Sequence, residues 1–217
     1  MADQFAVIGL GRFGLSIANK LYESGRDVLG VDVNEERADE AQSYVTHSVI
    51  ADSTDPEALK SIGIRNFDTV IVAIGNDIQA SILSVLLLKE LGVKKVIAKA
   101  LNKLHGEVLK KVGADWVVFP ERDMGIRVAH QLISPKVLNF IELSKDYSVE
   151  EVKIPEKMTD KTLRELDLRA KYNLSVIAIR HHDDIFISPS PDKIIDHGDV
   201  LVVIGENRDL ERFANLE

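Results

Sequence analysis

The sequence predicts an α/β protein: a doubly wound parallel sheet first, then a crossover helix and a second, smaller α+β domain. Three observations carry this expectation. Short apolar runs alternate with helical patterns from residue 5 to residue 119, and strands joined through helices pair in parallel with right-handed crossovers. The first run, Phe5-Ala6-Val7-Ile8, leads directly into Gly9, Gly11 and Gly14, spaced G-x-G-x-x-G ahead of a helical pattern. After Pro120 the alternation stops, and one long helical stretch precedes several short runs.

In chain order, strands are expected at 5–9, 28–32, 47–51, 68–74, 94–99 and 115–119, and helices at 12–24, 34–43, 55–62, 77–91 and 103–111. Gly25, Gly63, Gly92 and Gly113 follow four of the helices, the position where a helix end adopts left-handed backbone. Asp55-Pro56 opens the third helix as cap and first turn. Six such strands fit a Rossmann-type sheet. Helix 77–91 carries Ile82, Leu83, Val85, Leu86, Leu87 and Leu88, covers more than one face with apolar groups, and is therefore buried on two sides. One side is the sheet. The other is either a second subunit, approached closely at Ala80, Ser81 and Ser84, or the chain's own second half.

Glu121 to Ile141 reads as one crossover helix, with Met124, Val128, Leu132 and Ile133 at helical spacing and Pro135 kinking or interrupting it. The first domain is placed at 1–134 and the second at 135–217. In the second, strands are expected at 149–154, 175–180, 185–188 and 200–205, a short helix at 162–166 and a terminal helix at 206–215, with His181-His182-Asp183-Asp184 as a turn. Its core, formed by about seventy residues, is marginal, so this unit is expected to dimerise or dock.

Composition narrows the function. The net charge of −8 argues against nucleic acid, which needs a basic face. The absence of cysteine excludes disulfides, thiolate zinc sites and thiol nucleophiles and fits a reducing cytoplasm. No export signal, membrane-spanning run or lipid-binding basic cluster is read in the chain. The six histidines show no metal spacing, and Trp116 is expected in the core.

The glycine loop is the first candidate site. Gly9 permits the tight turn, Gly11 lets backbone approach a phosphate, and Gly14 lets helix and strand pack closely. Asp32 ends the second strand, where a carboxylate accepts bonds from a ribose diol. It suits NAD, ATP or ADP and disfavours NADP; the alternative is a solvated strand-end Asp. Asp52-Ser53 follow the third strand, where Asp52 either accepts from the adenine amine or forms an Asx turn. Ile74-Gly75 end the fourth strand, and a small residue there leaves room for ribose or phosphate. Arg12 either points to phosphate, on its own ligand or across an interface, or is an exposed helix arginine. Lys99 and Glu121 follow the fifth and sixth strands. Glu121 either approaches a polyphosphate through a divalent cation or simply favours a helix N-terminus. There is no Tyr-x-x-x-Lys pair, no P-loop and no Gly-x-Ser-x-Gly elbow.

Taken together, VIGLGRFG with Asp32, ADST at 51–54, VIVAIG at 70–75, Lys99, GAD at 113–115 and PERDMG at 120–125 resemble an RCK (TrkA-type) domain. LRELDLRAKY at 163–172 and HGDVLVVIG at 197–205 resemble the companion RCK C-terminal domain. The pair, over essentially the whole chain, is similar to the regulatory subunits of Ktr potassium uptake systems, KtrA/KtrC type. The resemblance implies a non-enzymatic cytoplasmic protein, peripheral at the inner face of the membrane. It implies dimers assembled into a homo-octameric ring beneath a membrane potassium-translocating subunit. ATP, ADP or NAD(H) would bind the first domain, and ATP-for-ADP exchange would gate transport. On this sequence, Gly9, Gly11, Phe13 and Gly14 would form the phosphate loop, Asp32 would take ribose, and Asp52 with Ser53 adenine. Ile74, Gly75 and Lys99 would complete the cleft, and Arg12 would reach the γ-phosphate of the neighbouring subunit. Glu121 would line a magnesium or calcium site. Cyclic di-AMP would bind the second domain at Arg169, Ile177 and Pro189. The rival readings are a small NAD-dependent oxidoreductase and an NAD redox sensor.

Overall fold

The structure, a computed structural model, describes residues 3–133, 136–182 and 184–216. The chain forms two compact units, Met1–Asp123 and Met124–Glu217, each with its own core.

In the first unit the elements run β1 (Gln4–Ile8), α1 (Arg12–Glu23), β2 (Asp27–Asp32), α2 (Glu35–Ala41), β3 (His47–Ile50), α3 (Pro56–Ser61), β4 (Thr69–Val72), α4 (Ile78–Glu90), β5 (Lys95–Lys99), α5 (Lys103–Lys111) and β6 (Trp116–Val118). The sheet order is β3-β2-β1-β4-β5-β6, with every pairing parallel. The chain reverses its direction of travel between β1 and β4, and ligands of such sheets bind where the carboxyl ends of the strands meet that reversal. Ile8, Val31, Val70, Val72, Val85, Leu88, Val96 and Leu109 lie in one cluster, and Val7, Val28, Ala18 and Ile71 in another. The central strands are buried on both faces, as parallel sheets require.

Two expectations fail here. Trp116 is 58% exposed, not core. β6 is the sheet edge, and strand alternation turns Val117 inward and Trp116 outward. Ser81 and Ser84 are fully buried and face the chain's own interior with Val85 and Leu88, so they form no outward contact stripe. The outward residues of α4 are Ile78, Leu83 and Leu86.

The second unit begins within α6 (Pro120–Ile133) and continues with β7 (Val137–Glu142), β8 (Tyr147–Lys153), α7 (Leu163–Leu166), α8 (Leu168–Tyr172), β9 (Ser175–His181), β10 (Asp184–Ile187), β11 (Val200–Glu206) and α9 (Asn207–Ala214). Its antiparallel sheet has the order β10-β9-β11-β8-β7. The helix expected to reach Ile141 ends at Ile133, and 137–142 is a strand instead. Val137, Phe140 and Ile141 suit a pleated surface better than a helix, and β8 supplies the backbone partners. Pro135 and Asp183, named above for a kink and a turn, lie outside the described residues. Thr162 and Glu165 close a capping box on α7. Leu174, Ile179, Ile195, Leu201, Leu210 and Phe213 form the core, and α8 was not anticipated.

Candidate functional site

The carboxyl ends of the six parallel strands carry Gly9, Asp32, Asp52, Ile74 with Gly75, Lys99 and Glu121, so all six positions share one sheet edge. At its centre lies the start of α1. Gly9 has φ +92°, and an added Cβ would sit 3.0 Å from the Ile74 amide nitrogen. At Gly14 a Cβ would be 1.9 Å from the Gly9 carbonyl oxygen, so only glycine lets the helix approach the strand. Around Gly11, by contrast, a Cβ would meet nothing within 4 Å. The loop is tight on both sides of an open position.

The α1 terminus is chemically distinct. Asn34, Asp55, Asp77 and Asn102 each accept a backbone N–H with their side chains and cap α2, α3, α4 and α5. Gly11 caps α1 with no side-chain bond. The first intrahelical donor is the Leu15 amide, to the Gly11 carbonyl at 2.8 Å, so the preceding first-turn amides have no helical acceptor. Among the first five helices, α1 alone keeps this electropositive end for an external anion.

Asp32 is buried, and its carboxylate spans two loops. Oδ2 accepts from the Leu10 amide at 2.7 Å and Oδ1 from the Asn34 amide at 2.9 Å. Each oxygen retains a second lone pair. Arg37, on α2, stands 3.8 Å from Oδ2 and was not anticipated. Its signal was its place one helical turn after the strand-end acid. Asp52 is exposed and forms the alternative expected of it: Oδ1 accepts from the Thr54 amide at 2.8 Å and hydroxyl at 2.7 Å, which holds its carboxyl below the usual carboxylate range. Ser53 is buried, and its hydroxyl meets that of Ser84 at 2.7 Å. That hydroxyl is turned into the interior, away from the crevice.

A charged group closes the other side. Lys99 is 8% exposed and donates to Glu121 Oε1 at 2.5 Å. Its ammonium also lies 5.7 Å from the centre of the Phe13 ring, a favourable cation–π arrangement. A side chain at Gly75 would come 3.4 Å from the same ammonium. The Lys99 hydrogen bond, with a smaller contribution from the Arg12 charge, holds the Glu121 carboxyl below its ordinary range. Arg12 is exposed at the first position of α1, and among the described residues its guanidinium has no ion-pair partner.

In the second unit, the Ile177 carbonyl on β9 accepts from the Ser188 amide at 2.8 Å, which places Ile177 beside Pro189. Pro189 lines an open depression of about 650 Å³ with Ile185, Phe186, Ile187, Asp192 and Lys193. Arg169 is exposed on α8, outside that lining.

The TrkA-N domain model matches residues 5–120 and the TrkA-C domain model residues 149–217. The chain is 50% identical to Ktr system potassium uptake protein A of Bacillus subtilis over 98% of this chain and 96% of the relative. It is 47% identical to Ktr system potassium uptake protein C of the same organism, over 98% of this chain and 96% of the relative. The chain belongs to the Ktr potassium uptake family, with a TrkA-N domain followed by a TrkA-C domain. Among solved structures, the GsuK channel bound to NAD matches 97% of this chain and 38% of the channel chain, at 26% identity and TM-score 0.53. The same channel bound to ADP matches 60% of this chain and 33% of the channel chain, at 25% identity and TM-score 0.51.

In these terms the TrkA-N match contains the glycine loop, Asp32 and Lys99 at one sheet edge, with Glu121 directly after it. Among the described residues no helix is long and apolar enough to cross a membrane.

Proposed function

We propose that this chain is the regulatory subunit of a Ktr-type system, and that adenine nucleotide bound in the TrkA-N crevice sets the conformation that gates potassium flow. The observation that carries the proposal is the uncapped α1 terminus at the reversal of the sheet, open at Gly11 where four neighbouring helices are closed by their own side chains. A polyphosphate satisfies those amides and the helix dipole together. Asp32 takes the ribose hydroxyls through its remaining lone pairs, the backbone at 52–53 and the free oxygen of Asp52 face the base, and Ile74 and Gly75 floor the crevice. Lys99 and Phe13 border the phosphates. Glu121, an exposed carboxylate beside the glycine loop, would hold a magnesium or calcium ion, and such an ion would supply charge neutralisation there. NAD(H) and ADP both remain ligands of the same crevice, consistent with the NAD- and ADP-bound neighbour.

The gating step is differential binding, with no bond made or broken. A ligand shifts a two-state assembly only by binding one state better. ATP and ADP differ by the γ-phosphate, and Arg12, exposed at the start of α1, is the cation that senses it from a neighbouring subunit. The work divides between 1–134, which reads nucleotide, and 135–217, where Arg169, Ile177 and Pro189 bind cyclic di-AMP. The assembly is a homodimer built into an octameric ring on the cytoplasmic face, beneath the potassium-translocating subunit.

The test measures ATP and ADP affinity by calorimetry and nucleotide-dependent potassium flux in vesicles with the membrane subunit. ATP and ADP should bind and should differ in the flux they permit. Arg12→Ala should lose most of that difference while keeping ADP affinity within about threefold. Unchanged ATP-versus-ADP discrimination in Arg12→Ala overturns the sensor role, and hydride transfer from NADH to a substrate favours the oxidoreductase reading instead.

A further inference from the structure

The six histidines show no metal spacing along the chain, yet folding brings one of them to two carboxylates. His181 ends β9, Asp199 immediately precedes β11, and Asp196 lies in the loop between β10 and β11. β9 and β11 are antiparallel neighbours, so these positions meet at one end of the second sheet. Potential ligand atoms of all three residues lie within 4.8 Å of one another. His181 Nδ1 is 2.6 Å from Asp199 Oδ1. Asp199 Oδ2 accepts from the Asp196 amide at 2.8 Å, and Asp196 Oδ2 from the Lys193 ammonium at 3.3 Å.

The charge balance of this cluster points to a ligand. The Asp199 side chain has no solvent exposure, and a buried carboxylate is ordinarily paired with a full positive charge or coordinates a metal. Among the described residues, the ionisable groups brought to it are the His181 imidazole and the Asp196 carboxylate. Lys193 pairs with Asp196 at 3.3 Å from the surface side of the cluster. Burying one carboxylate close to another is unfavourable unless a cation lies between them.

We propose that His181, Asp196 and Asp199 hold a divalent transition-metal ion of the zinc class. A nitrogen with two carboxylate oxygens is a borderline ligand set that selects zinc, cobalt or nickel over magnesium and calcium. The ion takes the place of the proton between Nδ1 and Oδ1, and that proton leaves to solvent. Ligands of one tetrahedral ion stand about 3 Å apart, so the pair at 2.6 Å needs only a small outward turn of the half-exposed imidazole. The exposed Asp196 gives the ion its way in, and water completes the coordination. Bound there, the ion ties the end of β9 to the loop that carries Pro189.

The test uses the full chain, stripped with chelator and titrated with cobalt(II), then zinc(II). One equivalent of cobalt should give visible bands of a low-symmetry, nitrogen-containing site, and zinc should displace it. Zinc should also slow amide hydrogen exchange across 189–199. Zinc affinity should fall at least tenfold in His181→Gln and in Asp196→Asn, both changes at solvent-accessible side chains, and in Asp199→Asn if circular dichroism shows it folded. Absence of a cobalt spectrum in the wild type overturns the proposal, and so does wild-type zinc affinity in both His181→Gln and Asp196→Asn.

Discussion

Gly11 and Gly14 stand three residues apart, yet a methyl group has opposite consequences at the two. At Gly14 it would overlap the Gly9 carbonyl oxygen, and overpacking against backbone costs about 1–3 kcal/mol or more. Gly14→Ala should therefore lower the urea midpoint. At Gly11 there is open space, so Gly11→Ala should leave unfolding within about 0.5 kcal/mol of wild type while weakening ATP binding at least tenfold. An equal loss of stability in both variants would remove the distinction. Lys99→Met should return the Glu121 carboxyl to its ordinary range in a carbon-13 titration, because the Lys99 hydrogen bond is the main cause of its depression. A depressed carboxylate stabilises the fold above its unfolded pKa, and that contribution is lost as pH falls through the lowered value. Lys99→Met should thus flatten the acid limb of the stability curve. Much of this site was legible in the sequence, because glycine spacing and strand-end acids are local signals. The inward turn of Ser53 was not, since Ser84 is its partner from 31 residues away. Nor was the His181–Asp199 pair, which depends on the register of two strands.

At the scale of elements, caps and glycines marked α2–α5 well, and the six parallel strands follow their apolar runs. The failures share a cause: edges and exposed strands carry a weak apolar signal. β6 exposes Trp116 because it is the sheet edge, and β7 was read as helix because 121–133 before it is helical. The alternation of β8 buries Glu150 among Ser148 and Val152, and burial, reinforced by the charge of Glu211, pushes its carboxyl up to about 7. The native state then holds a proton that the unfolded chain releases near 4.5. This contribution to stability is complete below pH 4.5 and declines as pH rises through about 7. At about 1.4 kcal/mol per pH unit the loss amounts to about 3 kcal/mol. Glu150→Gln keeps the neutral shape, so relative to this variant the wild type should lose stability between pH 5 and 8. Parallel curves would show that Glu150 titrates normally.

At the scale of the whole molecule, the exposed apolar groups are grouped rather than scattered. Met124, Val128 and Leu132 are 55%, 47% and 76% exposed and recur every four residues along α6, which puts them on one helix face. Ile78, Leu83 and Leu86 form a second exposed set on α4. Contiguous apolar surface of this kind marks association surfaces in soluble proteins. A net charge of −8 opposes nonspecific clustering, so association should depend on these faces. We assign the α6 stripe to the proposed homodimer, since i, i+4, i+8 spacing presents a seam to a second copy of the same helix. Val128→Asp with Leu132→Asp places two carboxylates in that seam and leaves the buried cores unchanged. Light scattering of the wild type should give a multiple of 24.1 kDa, and the double variant should give the monomer mass with an unchanged circular dichroism spectrum. Nucleotide should still bind the monomer, because the phosphate loop, Asp32 and Lys99 come from one chain. The ATP-versus-ADP difference should vanish, because the γ-phosphate sensor is assigned to the neighbouring subunit. A double variant that stays oligomeric would move the interface to α4. A monomer that still discriminates ATP from ADP would place Arg12 on its own ligand and leave gating without a neighbour to act through.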